Sequence, residues 1–178
     1  EENIYCLVQR LQCEQSLDAF SVVFISNTHS SVAVFAQRAG DPHQDGLVIW
    51  DYHVILVKRD ATGTWVYDFD TTLDFPVAFT TYFSYGLRSN ALLPEKLRRL
   101  YRVVPSDLFL KHFSSDRRHM RRPSGQWLSP PPTYQCIFGP LAQHPHRLPY
   151  YLDMNCSESE DGVYGSVLNE SEFVQRFS

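Results

Sequence analysis

The chain has 178 residues, 43% of them apolar and 20% charged, which is enough to bury one hydrophobic core and is ordinary for a globular domain. A net charge of −4 and the lack of any run of about 18 apolar residues argue against a polycationic nucleic-acid binder and against a membrane-spanning helix. The charge is uneven: residues 1–87 carry 4 Lys/Arg against 11 Asp/Glu, residues 88–122 carry 10 against 3, and the remainder 2 against 6, a pattern that predicts pairing of the basic block with the acidic first half.

Glu1 to Gln12 is predicted to be an amphipathic helix. Ile4, Leu7, Val8 and Leu11 recur at helical spacing, and Glu1 and Glu2 suit the positive end of the helix dipole. A strand is expected at Phe20–Ser26, ended by an Asn27-Thr28 turn, and a second at Ser31–Gln37. Gly40 to Gly46 reads as a polar loop.

The stretch from Leu47 to Asp70, LVIWDYHVILVKRDATGTWVYDFD, then reads as two strands, Leu47–Val57 and Thr64–Phe69, joined by the turn-forming Asp60-Ala61-Thr62-Gly63 cluster. Side chains alternate along strands, so Ile49, Asp51, His53 and Ile55 are expected on one face, as are Val66, Asp68 and Asp70. If Asp60-Ala61 is a two-residue loop, paired positions sum to 121 and His53 lies opposite Asp68. If all four residues form the loop, the sum is 123 and His53 faces Asp70, with Asp68 diagonal. Opposed side chains lie about 5 Å apart at Cβ, so either register brings a carboxylate to the imidazole. That is the orienting half of a catalytic triad. It is equally the pattern of a core histidine held by a structural aspartate.

Thr71 to Pro76 is a loop. Val77 to Arg88 is predicted helical, with Phe79, Tyr82 and Phe83 as an aromatic core stripe, and Pro94 opens a short helix through Leu100. Tyr101–Val104 reads as a strand, Ser106 as the cap of a helix through about Phe113, and Arg117 to Pro123 as a basic loop. Ser129 to Tyr134 is extended coil and Gly139 to Gly162 is loop-rich. Asn169 with Glu172 three residues later predicts a capping box for a last helix through Phe177. The order fits one α+β domain over residues 1–178, with the first helix packed on a twisted antiparallel sheet.

The four cysteines, Cys6, Cys13, Cys136 and Cys156, form no CxxC pair. On one helix Cys6 and Cys13 would be about 10.5 Å apart along the axis, too far for a disulfide. Free thiols point to a reducing compartment, cytoplasmic or nuclear. The acidic amino-terminal start lacks the basic and apolar regions of a secretion signal. Cys6 lies in the second turn of the first helix, away from free N–H groups, and is read as packing.

Neither His112, Asp116 and His119, which cross a helix end beside arginines, nor His144 and His146 are expected to hold a metal. The arginine block lacks the glycine or aromatic interleaving of a nucleic-acid surface, and no GxxxxGK or GxGxxG cradle occurs. No cofactor, nucleic acid or membrane partner is expected, and a monomer is the expectation.

Several segments carry a resemblance: EENI (Glu1–Ile4), VFISN (Val23–Asn27), VIWDYHV (Val48–Val54), YDFDTTLDFP (Tyr67–Pro76), SSDRRHM (Ser114–Met120), PPPTYQCI (Pro130–Ile137) and SEFVQRF (Ser171–Phe177). In this order they resemble the protein N-terminal glutamine amidohydrolases, the WDYHV family, which convert an amino-terminal glutamine to glutamate in the arginine branch of the N-degron pathway. The resemblance implies a papain- or transglutaminase-like α+β scaffold bearing a Cys-His-Asp triad. It assigns the histidine to His53, the aspartate to Asp68 rather than Asp70, and the nucleophilic cysteine to the residue directly before Glu1. Residues 1–178 lack that cysteine, so by themselves they are expected to be inactive.

Selectivity for a free amino terminus further requires a group that reads the α-ammonium, for which Asp51, Asp70 and Asp116 are candidates. Two other classes fit the same residues: another thiol hydrolase or acyltransferase on this scaffold, and a relative that binds amino termini without hydrolysing them.

Overall fold

The run FSVVFIS, from Phe20 to Ser26, is almost entirely apolar and is buried on both of its faces. Such a strand needs cover above and below, and the computed structural model, which describes residues 1–128, 130–155 and 162–178, supplies it on both sides.

In chain order the elements are α1 (Glu2–Gln12), β1 (Phe20–Ser26), β2 (Val32–Val34), β3 (Val48–Trp50), β4 (His53–Asp60), β5 (Gly63–Tyr67), β6 (Val77–Ala78), α2 (Phe79–Tyr82), β7 (Leu100–Pro105), α3 (Ser106–His112), β8 (Ser114–Ser115), β9 (Ile137–Phe138), α4 (Leu148–Leu152), β10 (Ser166–Leu168) and α5 (Glu170–Phe177). Six strands form one antiparallel sheet in the order β10-β7-β1-β4-β5-β6, and β2-β3 and β8-β9 form two small ribbons. The fold is thus mixed α/β, a six-stranded antiparallel sheet with helices packed on it.

Alternation along β1 sends its side chains into two cores. Phe20, Val22 and Phe24 pack with Ile4 and Val8 of α1, Phe109 and Leu110 of α3, and Tyr151 of α4. Here Phe24 stacks on Tyr151 with ring centroids 5.0 Å apart, and Phe109 lies 4.6 Å from Phe113. Val23 and Ile25 face Phe79 and Tyr82 of α2 and Phe173 and Phe177 of α5. Each such side chain contributes about 1.5–3 kcal/mol relative to remaining exposed, so the sheet is anchored from both faces.

The helix at the amino terminus forms as its periodicity requires, with Ile4 and Val8 buried. At the other end, the Asn169 side chain accepts the Glu172 N–H, and the Glu172 carboxylate accepts the Asn169 N–H. That completes the capping box read from the sequence.

Elsewhere the expectations need correction. Leu47–Val57 is not one strand: β3 pairs with β2, β4 joins the main sheet, and the chain bends at Asp51-Tyr52, where the Asp51 carboxylate accepts the Tyr52 N–H. A side chain competing for a backbone donor in this way interrupts a ladder. The strand expected at Ser31–Gln37 covers only Val32–Val34.

Val77–Arg88 is not a single helix either. A two-residue strand precedes a four-residue helix, and Phe83–Leu87 is a wide π turn closed by Arg88 N–H onto the Phe83 carbonyl. Pro94–Leu100 holds only a 3-10 turn at Glu95–Leu97, and Leu100 already belongs to β7. Ser106 begins α3 without capping it, and its hydroxyl is buried.

The basic block is absorbed in two ways. Arg117 pairs with Glu2 and Arg88 with Asp45, as charge balance suggested. Arg99 and Arg102, each 1% exposed, instead donate mainly to backbone carbonyls, Arg99 to those of Ala33, Leu87 and Arg88, and Arg102 to those of Tyr164 and Asp153.

Candidate active site

His53 opens β4 opposite Ile25 of β1 and is 5% exposed. Its Nε2 lies 2.9 Å from Oδ1 of Asp68, a carboxylate that is 1% exposed. The oxygen stands off the line of the ring N–H, so the contact is a close N···O approach rather than an aligned hydrogen bond.

The β4-β5 register pairs Leu56 with Tyr67 and Asp60 with Gly63, so paired positions sum to 123. Only Ala61 and Thr62 lie between the paired ends, a tighter turn than the four-residue loop expected with that register. The regular ladder stops at Tyr67. Asp68 therefore reaches His53 diagonally, past the end of the strand, and not as a directly opposed residue.

Asp68 has further partners. Its Oδ1 accepts the N–H of Asp70 at 2.9 Å, turning the chain after β5. Its Oδ2 accepts the Tyr82 hydroxyl at 2.8 Å and the Gln37 side-chain amide at 3.1 Å. Burial by itself would raise this carboxyl's pKa. The charge of His53 and the hydrogen bonds from its partners outweigh burial and hold it below the ordinary carboxylate value. Tyr82, wholly buried, is pushed far upward by desolvation and by the Asp68 charge, so it remains a donor.

Gln37 is 1% exposed. Its Oε1 accepts the Trp50 indole N–H at 3.2 Å, and the Trp50 ring stacks on His53 at 5.8 Å with 20° between planes. The backbone of Gln37 bridges Thr71 and donates to the Gly46 carbonyl at 2.9 Å. Gly46, at φ +63°, is required there, because a Cβ would come within 2.9 Å of the Gln37 nitrogen.

A cavity of about 200 Å³ opens in front of His53, lined by Glu1, Asn3 and Ile4 at the start of α1, by Trp50 to Val54, and by Phe69 and Asp70. The first intrahelical acceptor of α1 is the Glu1 carbonyl, which takes the Tyr5 N–H, and no side chain caps the helix. The Glu2, Asn3 and Ile4 N–H groups therefore have no acceptor within the helix.

Glu1 is fixed from the side. Its Oε2 accepts the Tyr52 hydroxyl at 2.6 Å, and its Oε1 lies 3.5 Å from His119 Nε2. Burial, then Glu1, pushes the Tyr52 hydroxyl's pKa far up, so it stays protonated and donating. Glu2, 8% exposed, is held by Arg117 through Nε–Oε1 at 2.7 Å and Nη2–Oε2 at 2.9 Å. Arg117 also donates to the carbonyls of Pro132, Tyr134 and Gln135, tying the SSDRRHM and PPPTYQCI segments to the helix start.

Asp51 and Asp70, both exposed, line the cavity with His53. Among the described residues the Asp70 carboxylate has no hydrogen-bond or ion-pair partner. Asp116 lies elsewhere, bound to Arg118 at 2.5 Å and 3.3 Å from His146, whose ring stacks on His119 at 5.7 Å. His53, Asp68 and Asp70 bring one ligand atom each within 4.8 Å of one another. Both Asp68 oxygens already accept hydrogen bonds.

Cys6 is exposed on α1, which corrects its reading as packing; partial burial, then Glu2, pushes its thiol upward, away from thiolate. Cys13 and Cys136 are also free and exposed, and Cys156 lies outside the described residues. Among the described residues no helix is long and apolar enough to cross a membrane.

The sequence pattern does not single out Gln37 or Tyr82, and its charge balance gives Arg117 an acidic partner without specifying Glu2. Tyr82 was visible only as one ring of a core stripe. Gln37 carried no signal, because its role depends on a bridge to Thr71 that no periodicity encodes. Trp50 lies inside the WDYHV motif, but the motif by itself gives its ring no role.

Residues 1–177 match the family described as N-terminal glutamine amidase. The protein N-terminal glutamine amidohydrolase of Drosophila mojavensis is 40% identical over 180 residues, covering 99% of this chain and 84% of that protein. Those of Drosophila melanogaster and Drosophila virilis are 39% identical over the same shares.

Proposed function

The chain belongs to the N-terminal glutamine amidase family, and from that premise we propose that it deamidates the amino-terminal glutamine of proteins and peptides, releasing ammonia. The observation that carries the reading is the buried His53–Asp68 pair on the wall of a cavity that the start of α1 also lines. We read the scaffold as papain- or transglutaminase-like and the chemistry as that of a Cys-His-Asp triad, with the cysteine at the position preceding Glu1.

In this reading Asp68 occupies the Nε2 side of the imidazole and leaves Nδ1 to the thiol. The thiolate attacks the side-chain carboxamide carbon of glutamine and forms a C–S bond. Free N–H groups at the start of α1 stabilise the resulting oxyanion. The C–N bond then breaks, with the His53 imidazolium giving its proton to the departing ammonia. Water, deprotonated by His53, attacks the thioester; the C–S bond breaks, glutamate leaves and the thiol is restored.

The α-ammonium is read by carboxylates. Glu1, Asp51 and Asp70 put three acids on the cavity, and its lining includes no Lys or Arg. Asp70 suits the role best, because its carboxylate is unpaired among the described residues and lies near His53. Asp116, bound to Arg118 away from the cavity, is left out of the reading.

The test is ammonia release by the natural protein with the residue before Glu1 in place. Gln-initiated peptides should be turned over, whereas acetylated ones and peptides with internal glutamine should not. A polypeptide of residues 1–178 alone should release none, and a cysteine restored before Glu1 should recover the rate. Equal rates on internal glutamine would overturn terminal selectivity, and undiminished activity without the cysteine would overturn the thiol mechanism.

A further inference from the structure

We propose that Gln37 is a positioning residue, whose one buried amide fixes both the carboxylate that orients His53 and the indole that stacks on it; the inference rests on the reading of His53 and Asp68 as triad members. The indole N–H of Trp50 can only donate, and an ionised carboxylate can only accept. An amide placed between them has one workable orientation, Oε1 toward Trp50 at 3.2 Å and Nε2 toward Asp68 at 3.1 Å. Turning it over would set donor against donor on one side and acceptor against acceptor on the other. The network thus assigns the amide without ambiguity and resists its rotation.

The geometry gives Gln37 a hold on both contacts that define the imidazole's place. One is the edge contact, Nε2 to Asp68 Oδ1 at 2.9 Å. The other is the face contact, the Trp50 ring at 5.8 Å and 20°. One edge contact leaves the ring free to turn about it, and the stacked indole supplies the missing constraint on the ring plane. Gln37 is itself held at its backbone by the Thr71 bridge and the Gly46 carbonyl, and the Arg38 N–H donates to the Asp70 carbonyl at 2.7 Å. The turn that carries Asp68 and the strand end that carries Trp50 are therefore referred to one residue. A second amide contact, Nε2 to the Phe35 carbonyl at 3.3 Å, leaves the side chain no rotamer freedom at little cost.

Three variants of the full-length protein separate the two tasks. Gln37→Met fills the same space and loses both links. Gln37→Glu keeps an acceptor for Trp50 but brings a second carboxyl to Asp68, and because two buried carboxylates that close cannot both ionise, the pair shares one proton and Asp68 no longer holds the full charge. Trp50→Phe keeps the stack and loses only the indole link. Both Gln37 variants should lower kcat on a Gln-initiated peptide by about 10- to 100-fold with KM changed by less than about twofold, because Gln37 does not line the cavity in front of His53.

A spectroscopic readout distinguishes positioning from mere support. The hydrogen-bonded indole N–H resonance of Trp50, assigned through Trp50→Phe, should be lost in Gln37→Met and kept in Gln37→Glu. The imidazole nitrogen shifts of His53 should change in both. If kcat stays within about twofold in both variants, or if His53 nitrogen shifts are unmoved while the variants fold, the positioning role is wrong. Should the natural protein release no ammonia at all, the amidohydrolase reading fails, and the Trp50 and His53 resonances still decide the role of Gln37.

Discussion

Replacing Asp68 with asparagine keeps the shape of the side chain and removes its charge. All four of its neighbours present hydrogens: the Tyr82 hydroxyl at 2.8 Å, the Gln37 amide at 3.1 Å, the Asp70 N–H at 2.9 Å and His53 Nε2 at 2.9 Å. Asparagine offers one acceptor and one donor group. If its NH2 replaces Oδ1, it meets the Asp70 backbone N–H, which cannot turn away. If it replaces Oδ2, the Tyr82 hydroxyl can rotate to accept, but the Gln37 amide remains opposed and cannot flip without opposing Trp50. The second arrangement is the milder and leaves one buried donor unsatisfied, so Asp68→Asn should destabilise the fold by about 1–3 kcal/mol.

The same substitution leaves the imidazole without its counter-charge, so kcat for ammonia release should fall by about 10²–10⁴-fold with a far smaller change in KM. The folded-state pKa of Asp68 is depressed, so the stability it contributes is present above the unfolded value and is lost as pH falls through the folded value. Urea denaturation across that acid window should show the natural protein losing stability and converging on the asparagine variant, whose own curve lacks that step. Asp70→Asn, which leaves the buried network intact, should act mainly on KM. A folded Asp68→Asn protein within about tenfold of the natural kcat, or a larger kcat loss from Asp70→Asn, would refute the assignment.

Arg117→Met strands the Glu2 carboxylate at 8% exposure, and removing one partner of a buried pair costs about 3–5 kcal/mol, so urea denaturation should register a loss of that size. A loss below about 1 kcal/mol would place the pair with surface ion pairs. Burial pushes the Tyr101 hydroxyl up to about 12, and Tyr82 is raised well above its ordinary value. Raised folded-state values confer stability that is full below the unfolded value of about 10 and is lost as pH rises through the folded value. Tyrosinate absorbance should therefore reach full amplitude only as circular dichroism reports unfolding; full ionisation of a folded chain would contradict this burial.

The sequence was most legible where one local rule acts alone. The Asn169/Glu172 capping box and the Ile4/Val8 spacing each involve a few adjacent positions, and both appear as read. It was less legible where an element depends on a distant partner. Val77–Arg88 has helical spacing, yet its first residues pair with β5 and its last turn widens where the Gly86 carbonyl accepts the Phe35 N–H. Arg99 was one charge in a basic block until the carbonyls of Ala33, Leu87 and Arg88 converged on it.

The acid beside His53 shows why pairing arithmetic was insufficient. A sum of 123 opposes His53 to Asp70 if the ladder continues, but it ends at Leu56↔Tyr67, one position before Asp68. From there the chain turns, because Asp68 Oδ1 accepts the N–H two residues ahead, and the regular alternation that would have carried Asp70 inward is lost. Asp68 turns toward His53, Tyr82 and Gln37, and Asp70 is left exposed at the cavity. An aspartate at a strand end is a frequent turn former because its carboxylate satisfies a nearby N–H. Here the carboxylate that bends the chain also faces the imidazole, so the choice of partner is made by the turn and not by the register.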